Sequence, residues 1–441
     1  MLNEIPLHLL EVKRAFHSGT VSTITFYGGT VPLAYISERI ITIIKENPWL
    51  TGFLKNSAHG ISIFYPISLP SDTEIQEKHL KIIQDPTLHE NLGFGEFSTR
   101  YGSKLVKVGK LCLNKESEPL FGIIVIQISA EKFAIICSMS HALADGHTFY
   151  SIYGMLSQSI KPTALIRQSF KNFVELSHPM RRGGDLGAFI DLPSTIFHFI
   201  MTKLFQPRFR LHLYEIDQDW IAKEKNAAVQ QDPSCNFVST NDIICSWFYR
   251  LVRTDVGMMA ANMRDRIPGL NKTYAGNYQI GIAYQPADYA TPSLIRRSLQ
   301  DSNNLGRVVS GPLPSAFETI FRGIRICLIT NWSTFYREVE FPDSEQIMHS
   351  PIFNIDGSVP INDVCVIFRP NKGKLAVFIG TTSCSDAEIR QQGILARPLC
   401  SNDDLNKPES RRRWPTIMRV CLVLLGVSSV LIAIAISSYY F

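Results

Sequence analysis

The chain has 441 residues, 45% of them apolar and 19% charged, with a formal net charge of +5. That length suits two or three ordinary domains with substantial cores, and the composition is globular. The small charge, with no basic stripe interleaved with aromatics, argues against nucleic-acid binding. Nine scattered cysteines, without Cys-x-x-Cys or zinc-ligand spacing, argue against a metal site and for free buried thiols in a reducing compartment.

The first ten residues lack the basic start and apolar run of a signal peptide. Residues 33–47 have helical spacing, with Leu33, Ile36, Ile40, Ile41 and Ile44 on one face, and Asn47-Pro48 ends the helix. Ile61–Tyr65 and Leu105–Val108 read as short strands. Phe121–Ser129 and Phe133–Ser140 read as a strand pair across Ala130-Glu131-Lys132, apolar enough for burial on both faces. A helix is expected over His147–Ile160. Residues 161–207 are looser and contain one apolar segment, Phe189–Leu204. It reads as a crossover helix, because Asp191, Pro193, His198 and Lys203 interrupt it too often for a membrane span.

A second alternation of strands and helices runs over 209–378, with Ser239-Thr240-Asn241-Asp242 as a cap before the helix Ile243–Val252. Residues 391–415 are polar and contain proline. Residues 420–441 carry no charge, and their 22 positions match the roughly 20 needed to cross a bilayer. Arg411, Arg412, Arg413 and Arg419 precede that segment, and Tyr439 and Tyr440 lie near its far end, so it reads as a membrane anchor with the bulk of the chain in the cytosol. The endoplasmic reticulum suits such a tail. The expected division is 1–165, a connection over 166–207, a second domain over 208–390, a tether over 391–419 and the anchor over 420–441.

The stretch most able to do chemistry is His141-Ala142-Leu143-Ala144-Asp145-Gly146. It puts an imidazole, the side chain that titrates nearest neutrality, at the end of a buried strand. Asp145 follows one turn on, and Gly146 stands where a sharp turn is easy. Arg264 and Arg266, either side of Asp265, read as a solvated turn or as the cation that holds a buried Asp145. Gly276-Asn277 reads as a turn with left-handed residues. In Ile329-Thr330-Asn331-Trp332, a hydroxyl and an indole N–H aimed at one point would stabilise an oxyanion, although a core tryptophan is the commoner use of that residue.

In this order the segments resemble the plant- and fungal-type acyl-CoA-dependent acyltransferases of the BAHD family, within the chloramphenicol acetyltransferase-like superfamily. His141–Gly146 matches the family's His-x-x-x-Asp-Gly motif in full. Leu33–Leu54, Ser239–Arg250, Asn262–Asn277 and Thr330–Trp332 are similar to further family segments. The second hallmark, Asp-Phe-Gly-Trp-Gly, is here Glu340-Phe341-Pro342-Asp343-Ser344 and has lost its Gly-Trp-Gly turn.

The resemblance implies an α/β fold. It has two chloramphenicol-acetyltransferase-like domains, each a mixed sheet covered by helices, with a channel between them. The C-terminal transmembrane helix is added to that fold. It also implies a catalytic group of His141 as general base, with Asp145 and Gly146 supporting it. Thr330 and Trp332 would lie at the acyl oxyanion, with structural support from Arg264, Arg266 and Asn277. No metal or resident cofactor is implied: acyl-CoA is a co-substrate, its partner a small apolar alcohol or amine. The protein is expected to act as a monomer at a membrane. The alternative is an inactive relative that binds a ligand or partner there, suggested by the altered second hallmark.

Overall fold

The computed structural model describes residues 1–13, 16–182, 186–205, 210–301, 304–353, 361–391 and 393–399. The first half contributes strands β1 (Leu2–Pro6), β2 (Thr20–Gly28), β3 (Phe53–Ser57), β4 (Gly60–Pro66), β5 (Leu80–Gln84), β6 (Phe121–Ser129) and β7 (Lys132–Ser140). The second contributes β8 (Arg210–Ile216), β9 (Val256–Asn262), β10 (Gln279–Tyr284), β11 (Ile326–Asn331), β12 (Glu345–Pro351), β13 (Asp363–Phe368), β14 (Ala376–Thr381) and β15 (Leu395–Pro398). β1, β4 and β3 form a small sheet. The two large sheets have the orders β12-β2-β7-β6-β5 and β10-β9-β11-β13-β14-β8-β15. Both are mixed: β5 runs parallel to β6, and β11 parallel to β9 and β13, while their other pairs are antiparallel.

The near-continuous apolarity of β6 and β7 has the expected consequence. Both are interior strands with cores on both sides, Ile123, Val125, Ile135 and Cys137 facing one cluster and Ile124, Ile126, Ala134 and Ile136 the other. Helix α1 (Leu33–Glu46) buries Ile36, Ile40, Ile41, Ile43 and Ile44. The buried Asn47 stops it: its amide donates to Ile43 O (3.1 Å) and Thr163 O (3.0 Å) and its Oδ1 accepts from Leu165 N (2.9 Å). α1 is thereby tied to the segment that leaves the first half.

Three expected elements differ. Leu105–Val108 is no strand, because Val106 N donates to the Ser138 hydroxyl (3.1 Å) rather than to a ladder carbonyl. The helix expected over 147–160 is α2 (Gly146–Gly154), followed by turns. The apolar segment 189–204 is two helices, α3 (Leu186–Asp191) and α4 (Pro193–Phe205), since Pro193 cannot continue a helix but is at home at its start. Ser239 does cap α5 (Thr240–Val252), in a reciprocal pair with Asp242.

β12 crosses from the second half to the edge of the first sheet, so residues 208–390 contribute to both large sheets. The fully buried His349 pins it. Its Nδ1 shares a hydrogen bond with Thr25 Oγ1 on β2 (2.8 Å) and its Nε2 one with the Tyr150 hydroxyl on α2 (2.9 Å). Burial pushes the His349 imidazole down to about 3, and burial pushes that of His79 down to about 4. These folded values lie below the unfolded value near 6.5. The stability from keeping each ring neutral is therefore complete above pH 6.5 and is lost as pH falls toward 4 and 3. Between pH 6.5 and 5 each ring is expected to remove about 2 kcal/mol. The urea midpoint should fall over that range, and less steeply in His79→Gln; a flat midpoint would refute the assignment.

Candidate active site

β7 ends at Ser140, whose N–H donates to Leu120 O (2.8 Å), and His141 N then donates to Gly19 O beside β2 (3.1 Å). The His141 carbonyl accepts from Asn277 Nδ2 (2.9 Å), a residue of the second half. Backbone bonds on both sides thus fix the residue while its ring remains half-buried on a cavity wall. Phe16 packs edge-on against it, with ring centroids 5.1 Å apart. Burial holds the imidazole below its ordinary range, leaving it neutral at pH 7, and among the described residues Nδ1 is buried without a hydrogen-bond partner.

Asp145 caps α2, accepting from Thr148 N (2.9 Å) and Thr148 Oγ1 (3.0 Å). Of the two candidate arginines, Arg264 pairs with it: Nη1 lies 2.7 Å from Oδ2 and Nη2 3.3 Å from Oδ1. Tyr278 N donates to the same carboxylate (3.2 Å). The other Arg264 donors reach Tyr274 O (2.8 Å), Gly276 O (3.0 Å) and Thr148 Oγ1 (3.0 Å). Burial pushes the carboxyl up, but the guanidinium and these hydrogen bonds outweigh it and hold Asp145 below the usual carboxylate range. Arg266 is half-buried two residues on, its pKa lowered by burial and by Arg296. Asp265 between them is exposed, beside Lys272.

Two turn expectations need correction. Gly146 has no positive φ. It opens α2, and a Cβ there would meet Trp332 Cδ1 only at 3.6 Å, an ordinary contact, so neither a left-handed turn nor a close approach requires glycine at this position. At Gly276-Asn277 only the glycine has positive φ (+135°).

A second buried ion pair lies behind the first. Glu11, fully buried, accepts from Arg167 Nη2 (3.0 Å), Asn277 N (2.9 Å) and His8 N (3.3 Å). A Cβ on Gly276 would come within 3.0 Å of Glu11 Oε1, so the turn must be glycine for this carboxylate to approach. Asn277 therefore bridges the Glu11–Arg167 pair to the His141 carbonyl. Sequence reasoning missed Glu11, Arg167 and His8: single charged residues far apart in the chain carry no local pattern.

These groups border a cavity of about 1180 Å³ lined by both halves. His141, Asp145, Gly146 and His147 come from the first half. Leu328, Thr330, Asn331 and Trp332 come from β11 and its exit. Thr330 is half-buried and Trp332 mostly buried, its ring against Tyr150 (6.2 Å) and Phe353 (5.8 Å). His147, the second residue of α2, is pushed down to about 4 by burial and by Arg264, so it too is neutral. Arg181, Arg182 and Arg307 also line the cavity, as does the ion pair of Lys13 and Asp191. Glu340–Ser344 is not among the lining residues. Phe341 there is buried against Tyr27 and Phe133, and Gly29 leaves room for Asp343 O, 2.3 Å from where a Cβ would stand.

Among the described residues, no group of three or more His, Cys, Asp or Glu could hold a metal ion, and no helix is long and apolar enough to cross a membrane. The segment 420–441 lies outside the described residues. The seven described cysteines are buried free thiols.

Asn331 stands in a glycosylation sequon, as does Asn271. Its amide donates to Asn241 Oδ1 (3.0 Å), while its Oδ1 accepts from Ser333 N (3.0 Å) and Ser333 Oγ (2.7 Å). No glycan is expected at either site. Intact-mass measurement of the native protein checks this, and a hexosamine-bearing Asn331 would mean that the cavity is obstructed.

No protein-family model matches the chain, and no curated protein does. Solved structures do. TRI101 of F. graminearum, complexed with coenzyme A and deoxynivalenol, aligns with a TM-score of 0.57 at 12% identity over 88% of this chain and 96% of that one. The starter condensation domain of rhizomide synthetase RzmA, a mutant complexed with C8-CoA and Leu-SNAC, aligns at 0.54 and 10% identity over 88% and 91%. Polyketide synthase associated protein 5 from Mycobacterium tuberculosis aligns at 0.52 and 13% over 87% and 95%. At such identities the likeness is one of fold. The described chain has the chloramphenicol acetyltransferase-like fold that the motif order implied, with mixed sheets covered by helices.

Proposed function

We propose that this chain is an acyl-CoA-dependent acyltransferase acting on a small apolar alcohol or amine at a membrane surface. The observation that carries the reading is His141: a neutral imidazole clamped at a strand end by both halves, on the wall of the cavity between them. A fold alone does not assign chemistry, so the argument rests on this site. In the proposed reaction a His141 ring nitrogen takes the acceptor's proton. The acceptor oxygen or nitrogen forms a bond to the thioester carbonyl carbon, and the carbon–sulfur bond then breaks. The thiolate leaves with the proton returned by the imidazolium, giving free CoA and the acyl ester or amide. Thr330 and Trp332 would donate toward the transient oxyanion. Asp145, Gly146, Arg264 and Asn277 are positioning residues, with Arg266 beside them.

Two further features support the reading. Coenzyme A is bound in TRI101 and C8-CoA in the RzmA domain, and Arg181, Arg182 and Arg307 on this cavity suit a phosphate-bearing donor. The anchor read in 420–441 would hold the enzyme where apolar acceptors partition. The altered hallmark at Glu340–Ser344 takes no group from the cavity lining, so it does not favour the inactive alternative. The test is release of free thiol by the full chain from acyl-CoAs of increasing length, with and without an alcohol or amine series. Acceptor-dependent release is expected; thiol release that no acceptor in the series raises, at every chain length, would sink the reading.

A further inference from the structure

Helix α4 arranges its side chains against the usual rule, by which a helix turns its apolar stripe inward. Among its described side chains the buried ones are the polar Ser194, Thr195 and Thr202. Ile196, Phe197, Phe199 and Met201 are half-buried, Phe199 against the core cluster of Phe189, Val256 and Ala283, and Ile200 is 52% exposed. α4 packs against a short helix, Ala316–Glu318, and the π-helical turn Thr319–Gly323 that follows it. These present Phe317 at 68% and Phe321 at 63% exposure, with ring centroids 4.5 Å apart. Scattered single hydrophobics are ordinary on a surface, but two adjacent exposed aromatic rings on a segment packed against the helix that exposes Ile200 form a patch. The patch reaches the cavity, because Ile196, Phe199 and Ile200 line it.

The path of the chain indicates what covers this face. β15 runs antiparallel to β8, with Leu395 opposite Ile216 and Pro398 opposite Tyr214, and Leu399 N donates to Leu213 O (2.9 Å). The chain therefore leaves the described structure heading toward Arg210. Arg210 follows the end of α4 by five positions, a span of at most roughly 18 Å. The described chain thus ends at Leu399, beside Leu213 and toward the end of β8 that follows α4 in the chain, and 42 residues, the uncharged 420–441 last, come after it.

We propose that the face made by α4, Phe317 and Phe321 lies on the lipid bilayer that residues 420–441 enter, with the cavity mouth at Ile200 opening onto it. An apolar substrate then passes from lipid to cavity without crossing water. The inference rests on the membrane-surface reading above and adds to it the orientation of the catalytic body.

The test uses the full chain on phosphatidylcholine vesicles with brominated acyl chains, which quench nearby tryptophan. Tryptophan placed by Ile200→Trp, Phe317→Trp or Phe321→Trp is expected to lose about half of the emission it adds over the unmodified chain, as for a side chain seated at the acyl boundary. Ile82→Trp, on the exposed edge strand β5, should keep its emission. Unquenched tryptophan at 317 and 321 in protein that sediments with the vesicles overturns the proposal and leaves the membrane reading standing. Quenching at those two positions but not at 200 overturns the placement of the cavity mouth. Protein that does not sediment overturns both. A dimer in detergent that Phe317→Ser/Phe321→Ser dissolves assigns the face to a second copy and also overturns the proposal.

Discussion

His141→Ala is expected to lower acyl transfer by about 10²- to 10⁴-fold, the usual contribution of a positioned general base, with the fold intact. The fold should survive because the residue is held by its backbone: the N–H to Gly19 and the carbonyl to Asn277 do not involve the ring. The pH dependence gives an independent signature. Only the neutral imidazole can accept a proton, and burial lowers the His141 pKa below the ordinary histidine value. The rate should therefore hold as pH falls through 6.5 and decline only below it. Unchanged turnover in His141→Ala, with unaltered circular dichroism, would remove His141 from the mechanism.

Asp145→Ala should have the largest effect on stability. Asp145 and Arg264 are both nearly inaccessible, and the carboxylate faces guanidinium, hydroxyl and two backbone N–H groups. Removing it leaves a guanidinium buried without its counter-charge, which costs about 3–5 kcal/mol, whereas replacing both partners by apolar side chains costs far less. Urea unfolding of Asp145→Ala, Arg264→Met and Asp145→Ala/Arg264→Met forms the cycle. Each single variant should be strongly destabilised, and the double variant should recover much of the loss. Additive losses would mean that the pair is not coupled. Arg266→Ala serves as the comparison and should unfold closer to the unmodified protein, since Arg264 keeps the carboxylate.

Much of this site was legible in the residues because its signals are local. A strand apolar on both faces must be interior, so the His that follows β7 had to emerge at the end of a buried strand. Ser239, followed three positions on by Asp242, caps α5 by local hydrogen bonds that any chain with that pattern can make. Thr330 and Trp332 reach the same cavity because they stand together at the end of β11. The exact length of α2 was less legible, because a helix end depends on where tertiary contacts cease to reward it. The apolar run 189–204 read as one crossover helix, but of its four interruptions, Asp191, Pro193, His198 and Lys203, Pro193 divides it into two.

The sequence by itself therefore determined the interior strands, the helix caps, the motif and its order, and the uncharged segment 420–441. All of these depend on spacing within one stretch of chain. Only the tertiary structure decided that Arg264 makes the pair with Asp145, that Glu11 and Arg167 stand behind Asn277, and that β12 joins the first sheet through His349. Those choices join residues more than a hundred positions apart. Burial demands that each buried charge or polar group find a partner, but it does not say where in the chain the partner lies.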